Sequence, residues 1–437
     1  MQPKIQSQAE LPMAAYRRKT HSINMNEDSI PAADVLPLIM ENREATAKQS
    51  QFYLAFRLLA FAAKVCGLLP LGDVLTYDVN SLYFLWNSFS FLYSCSVVVC
   101  HFILGSIHIY LNAHFMFYTD QQSALVTSVL TSVQYILPFL SSLTMISATS
   151  QFPRYCQKWL KVERRVGLHV HAVSLHRYAI NLLFCPLMFF TVPLVLRSVA
   201  DGLSWSFWKV LLFFANLYTI TAIFIPFCVL LFLCLALRLS FNKFTEILDT
   251  TLLASKEDIS TEVEGLRRDH AFLCNLARET DAMFSTLVFV AVPSVLCCFV
   301  GQLCFAPQSP EKSILHLTAE VFEIVLVVIF CLALVLAADD VTKLSTDCLP
   351  CLHKVRTLNV CPNSKFEIQL LTLEVQESSV KFSGQRFFYL HRELLTKVAV
   401  FGFMMILVKS GVFNCLITGN SSLTTRLAAT NKPITEQ

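Results

Sequence analysis

Glycine is scarce in this chain, at 11 of 437 residues, and only 15% of its residues are charged. No Gly-rich phosphate loop, nucleophile elbow or His-Glu-x-x-His metal helix occurs, so no common enzyme framework is present and no catalytic residue is expected. Few glycines and no internal repeat also argue against a transporter built from duplicated halves with broken helices. A polar first segment, with Lys4, Arg17, Arg18 and Lys19 and no apolar core, excludes a cleavable signal peptide there. The net charge of +3 averages two unlike sides, and nucleic acid is not an expected partner. The 16 cysteines fall mostly in apolar runs, where a small soft side chain packs well. Only Cys304 and Cys415 are placed to pair on the sparse side, so a disulfide framework is not indicated.

What the chain has in quantity is apolar sequence: 55% of all residues are apolar and 12% of all residues are aromatic. Seven long runs stand at 83–109, 123–149, 177–199, 209–237, 284–305, 317–342 and 397–415. A bilayer core of about 30 Å takes about 20 apolar residues as helix. Lipid gives backbone groups no partner, and these runs are too continuous for barrel strands, so the expected class is an all-α polytopic membrane protein. All but six of the 34 Lys and Arg lie in the N-terminal tail and every second loop; the six are Arg197, Lys209, Lys312, Lys409, Arg426 and Lys432. Basic residues resist translocation. The bias therefore predicts a cytosolic N-terminus and an extracellular C-terminus, inverted relative to G-protein-coupled receptors.

The expected organisation is a cytosolic disordered tail over 1–50, an interfacial amphipathic helix over 51–72, the seven-helix domain over 83–415 and an extracellular tail over 416–437. Arg57 and Lys64 share one face of the amphipathic segment, which Pro70 and Gly72-Asp73 are expected to break. Counting that segment as an eighth span would return the C-terminus to the cytosol. The gaps 238–283 and 343–396 read as cytosolic helical extensions, the second with an amphipathic run, FEIQLLTLEVQ. Within it, Cys348, Cys351, His353 and Cys361 have irregular spacing for a zinc site, and free thiols are the expectation. No metal or cofactor is expected. Asn420-Ser421-Ser422 is a glycosylation acceptor on the outer side.

Local patterns occur in order along the chain. Lys64-Val65-Cys66-Gly67-Leu68-Leu69-Pro70-Leu71 is followed by Tyr83-Phe84-Leu85-Trp86-Asn87-Ser88 and Leu92-Tyr93-Ser94. Leu237-Arg238 and Phe241-Asn242 precede Leu266-Arg267-Arg268-Asp269-His270 and Leu273. Near the last run stand Phe382-Ser383-Gly384, Phe387-Phe388 and Leu390-His391-Arg392-Glu393-Leu394-Leu395. Together these resemble the insect-type gustatory receptors of invertebrates. That family's last span carries Thr-Tyr, five apolar residues and Gln-Phe; here Gly402-Phe403, Met404 to Val408 and Lys409-Ser410 keep only the apolar middle.

The resemblance implies a plasma-membrane, ligand-gated cation channel, assembled as a homo- or hetero-tetramer with related receptors, its last helix lining a pore. Phe403, Leu407, Lys409, Ser410 and Val412 become pore candidates, since apolar rings gate by dewetting and polar rings set selectivity. Lys409 either faces that pore or snorkels to the headgroups. The outer loops are too short for a binding domain, so a small-molecule ligand is expected among the helices. Tyr135, Phe189, Phe190 and Tyr218 are candidate walls, with Glu320 and Glu323, one helical turn apart, as polar anchors or headgroup-level residues. His101 and His108 share a face and suit interhelical hydrogen bonds; Asp339 and Asp340 are expected to face cytosol or pair with Lys343. Competing readings are a seven-helix receptor signalling through a partner and a secondary transporter.

Overall fold

The computed structural model describes residues 50–118, 122–167, 171–200, 207–253, 259–305, 314–355 and 361–409. Eleven helices and one two-stranded hairpin make up the described chain. They are α1 (Gln51–Val65), α2 (Phe89–Tyr118), α3 (Gln122–Thr149), α4 (Phe152–Val166), α5 (Ala172–Ala200), α6 (Phe207–Leu253), α7 (Ser260–Phe305), α8 (Ile314–Leu344), α9 (Leu349–Val355), α10 (Pro362–Glu377) and α11 (Arg392–Lys409). Strands β1 (Ser383–Gly384) and β2 (Phe388–Tyr389) pair antiparallel between α10 and α11. As far as they are described, the seven apolar runs fall on α2, α3, α5, α6, α7, α8 and α11, the first opening before α2 and the last passing beyond the described residues. Among the described residues, three helical stretches are long and apolar enough to cross a membrane: Phe89–Leu111, Phe213–Leu253 and Val321–Lys354.

Burial separates these helices. α6 is the central one, with Phe227 to Cys234 all buried. On α8, Val321, Val325, Ile329, Leu332 and Leu336 recur every three or four residues and are exposed. α2 exposes Val99, Phe102, Ile103 and Ile107 in the same way. Apolar stripes left open on a folded chain are what hydrocarbon covers. No Gly or Pro interrupts α6 after Pro226, so it runs past the apolar stretch to Leu253. α7 begins at Ser260, well before its own apolar stretch.

The first apolar run opens later than its composition suggests. Ser88 accepts from Phe91 N at 3.2 Å and starts α2, while residues 79–81 form a 3-10 turn capped by Asp78. The segment before it is a shorter helix than 51–72. α1 ends at Val65 because Gly67 takes φ +69°, with Gly67 N bonded to Lys64 O and Leu68 N to Ala63 O. That is a Schellman cap, so Gly67 stops the helix before Pro70. Fifteen residues rise about 22 Å, too short for a span. Its apolar face also covers protein: Phe52 stacks on Trp159 of α4 at 4.2 Å and packs against Phe232 of α6 at 5.6 Å. Arg57, on the other side, lies over the Tyr77 ring.

A glutamate from α4 holds the start of α1. Glu163 accepts from Ser50 Oγ and Gln51 N, both at 2.6 Å. A carboxylate there meets unpaired N–H groups and the positive end of the helix dipole. The aromatic layer continues through Phe152, Tyr155 and Phe284 into α7, where Tyr155 bonds Thr280 at 2.6 Å.

Candidate functional site

Two regions gather polar side chains inside the apolar framework. The first surrounds Tyr218 on α6. Its hydroxyl donates to Cys66 O at 2.9 Å, and its ring stacks on His101 of α2 at 5.6 Å. His101 Nδ1 lies 3.2 Å from Ser142 Oγ of α3, an interhelical hydrogen bond. Ser142 spends its one hydroxyl proton on Pro138 O at 2.7 Å, so Nδ1 carries the imidazole proton. His101 Nε2 is then a bare acceptor, buried and without a partner among the described residues. Tyr93 on α2 donates to Val65 O at 2.7 Å and closes the cluster beside the α1 cap. A buried acceptor against an aromatic ring suits a ligand hydroxyl or amine.

Of the expected wall residues, Tyr218 is in this cluster and Glu323 is half-buried on α8. Tyr135 on α3, Phe189 and Phe190 on α5, and Glu320 on α8 lie on described backbone, but their side chains are outside the described residues, as is that of His108. Sequence reading missed His101, Ser142 and Tyr93 as companions of Tyr218. An intramembrane histidine was the available signal.

The second region is the root of α11. Asp339 on α8 is fully buried, an arrangement that requires compensating charge. Lys343 Nζ lies at 2.6 Å, Arg392 Nε at 2.8 Å and His391 Nε2 at 3.3 Å. Asp340 takes Arg392 at 2.9 Å and Arg238 of α6 at 3.1 Å. The expected Lys343 pairing is therefore present, within a larger network tying α6 and α8 to the first residue of α11. The β1–β2 hairpin sets α11 from the other side. Asp281 of α7 accepts from Ser383 N at 2.6 Å and from Ser383 Oγ at 3.1 Å, and burial holds its carboxyl above the usual range. Gln385 and Arg386 at the hairpin tip have φ of 51° and 64°.

Phe403, Leu407 and Lys409 are carried by the α11 backbone, with side chains outside the described residues; Ser410, Val412 and Asn420 lie wholly outside them. Two open grooves, of about 330 and 500 Å³, flank Arg278 on α7. Their walls are charged and none of the expected ligand residues lines them. Among the described residues no three His, Cys, Asp or Glu side chains converge as a metal set, and Cys348 is turned into the core.

Residues 56–409 match the family profile of the 7tm chemosensory receptors. No curated protein sequence matches the chain. Among solved structures, the chain is similar to the insect olfactory receptor OR5 from Machilis hrabei in complex with eugenol. Identity is 13%, with 81% of this chain and 97% of that one covered, at a TM-score of 0.59. A second structure of the same receptor gives 12% identity, 80% and 96% coverage and a TM-score of 0.56. At these identities the likeness concerns the fold.

Proposed function

From this chain's membership of the 7tm chemosensory receptor family, whose members are ligand-gated channels and not enzymes, we propose that it is a gustatory-type receptor conducting cations. The observation that carries the reading is the extent of the family match. It runs from α1 to residue 409 and so includes all of α11 together with the ion network at its root. In this reading α11 lines a central pore in a homo- or hetero-tetramer of the plasma membrane. The N-terminus is cytosolic, and a small molecule binds between helices near His101 and Tyr218. Ligand contact with the His101 acceptor shifts α2 against α6, and α6 reaches the α11 root through Arg238.

Patch-clamp recording against a ligand panel, with and without co-expressed relatives, tests this. The expected result is ligand-evoked cation current that His101→Leu abolishes or right-shifts. Lys409→Gln altering reversal potential or rectification would place that side chain in the conduction path; unaltered conduction would place it at the headgroups. No current from wild type under any pairing would sink the channel reading.

A further inference from the structure

We propose that the outward stripe of α4 docks onto anionic phospholipid headgroups of the inner leaflet, an inference that rests on the cytosolic N-terminus proposed above. α4 carries Arg154, Lys158, Lys161, Arg164 and Arg165 against a single acid, Glu163. Spacings of four, three and four put Arg154, Lys158, Lys161 and Arg165 on one face, and Arg164, three residues after Lys161, borders it. The opposite face, with Phe152, Tyr155, Trp159 and Val162, is buried in the aromatic layer. Glu163 is turned inward onto Ser50 and Gln51, so it does not neutralise the stripe.

Two of the five cations have acidic partners on α7: Lys158 with Glu279, and Arg165 with Asp269 at 3.0 Å. Arg154, Lys161 and Arg164 are exposed and have no acidic partner among the described residues. The general basic bias of this side does not account for the concentration. α10, in the 343–396 connection that the charge bias assigns to the same side, mixes Lys365 with Glu367, Glu374 and Glu377. In chain order α4 lies between the apolar runs 123–149 and 177–199, starting three residues after α3 ends. The stripe therefore sits at headgroup level, where phosphate and carboxylate oxygens accept from Lys and Arg. Because the apolar face is already used by the core, attachment here is electrostatic, hence selective for charge and sensitive to salt.

The test measures anisotropy of a fluorescent phosphatidylserine added to the full-length protein in dodecyl maltoside micelles. Wild type is expected to prefer it over phosphatidylcholine and to lose affinity as salt rises. Arg154→Gln/Lys161→Gln/Arg164→Gln should lose about fivefold per charge removed, while Lys365→Gln on α10 keeps wild-type affinity. All four positions are exposed, so an unchanged size-exclusion profile is expected. The proposal is overturned if the triple variant binds as wild type does, or if the two lipids bind equally. It is also overturned if free glycerophosphoserine competes as well as the lipid, which would mark a site for a soluble anion. Displacement by an acidic peptide at lower concentration than the lipid would overturn it in favour of a protein partner. This readout involves no current, so its failure leaves the channel reading standing. Glycosylation mapping that placed α4 outside would instead remove the orientation and the leaflet assignment.

Discussion

Arg392, the first residue of α11, lies 2.8 Å from the buried Asp339 carboxylate on α8 and reaches the neighbouring Asp340 at 2.9 Å. One planar guanidinium thus spans two carboxylates, a geometry an ammonium does not reproduce. Arg392→Gln leaves Asp339 with Lys343 and the neighbouring His391. Breaking a buried pair costs about 3–5 kcal/mol, and Arg392's half exposure together with the remaining lysine reduces this to about 1–3 kcal/mol. The thermal midpoint in detergent should fall accordingly. Arg392→Lys should recover part of the loss, and Asp339→Asn combined with Arg392→Gln should lose less than the sum of the two.

Much of the fold was legible because apolar runs and helix stops are local signals. The gap 238–283 reads as a helical extension, and α6 does run past its apolar stretch to Leu253. Other features needed partners distant in sequence. Nothing local announces that Glu163 caps a helix starting at Gln51, or that Asp339 meets Arg392. Each charge is visible in the sequence, but its partner depends on which helices pack together. The α1 terminator was visible and misassigned, since Pro70 is a familiar breaker and Gly67 stops the chain first. Of the polar cluster around Tyr218, Ser142 and Tyr93 went unread, and His101 was read only as suited to interhelical hydrogen bonds. Its bare nitrogen follows from Ser142 already bonding Pro138.

His270 should confer an acid-sensitive stability. It is fully buried between Phe241 and Phe244, with Nε2 3.0 Å from Ser345 O. A carbonyl only accepts, so Nε2 carries the proton of a neutral ring. Burial lowers its pKa below the ordinary 6.5. Above about pH 6.5 both folded and unfolded chains hold it neutral. Below that the unfolded chain takes a proton that the folded chain refuses, so stability falls until the folded pKa is reached. Denaturation midpoints at pH 7.5 and 5.5 should differ more in wild type than in His270→Gln. Equal differences would remove His270 from the acid response.

Thiol reactivity should follow depth. Burial pushes Cys156 up to about 12 and Cys274 to about 11, so little thiolate forms there at neutral pH, and Cys348 is as deeply buried, so reagents have no access to any of them. A water-soluble maleimide applied at pH 7.5, with peptide mapping, should leave these three unmodified in the folded protein and modify them after denaturation. Cys351 and Cys361 are half-buried and should label first among the cysteines of that segment. Labelling of Cys156 ahead of Cys351 would contradict the packing of α4.

Gly67 carries two separable constraints, and substitution can resolve them. Its φ of +69° costs an L residue roughly 1–2 kcal/mol. A Cβ there would also come within 2.6 Å of Val97 Cγ2 on α2. Gly67→Ala should therefore destabilise beyond the backbone cost, because Val97 is buried and has little room to yield. Val97→Ala alone should cost about 1–3 kcal/mol as a cavity. In the double variant the new methyl enters the space left by the valine, so the combined loss should fall short of the sum by about 1 kcal/mol or more. The residual should match the φ cost, and Gly67→Asn, which tolerates the left-handed region better, should show a smaller backbone cost than Gly67→Ala in the Val97→Ala background. Strict additivity would mean that Gly67 is required for its backbone alone, and that α2 does not press against the α1 cap.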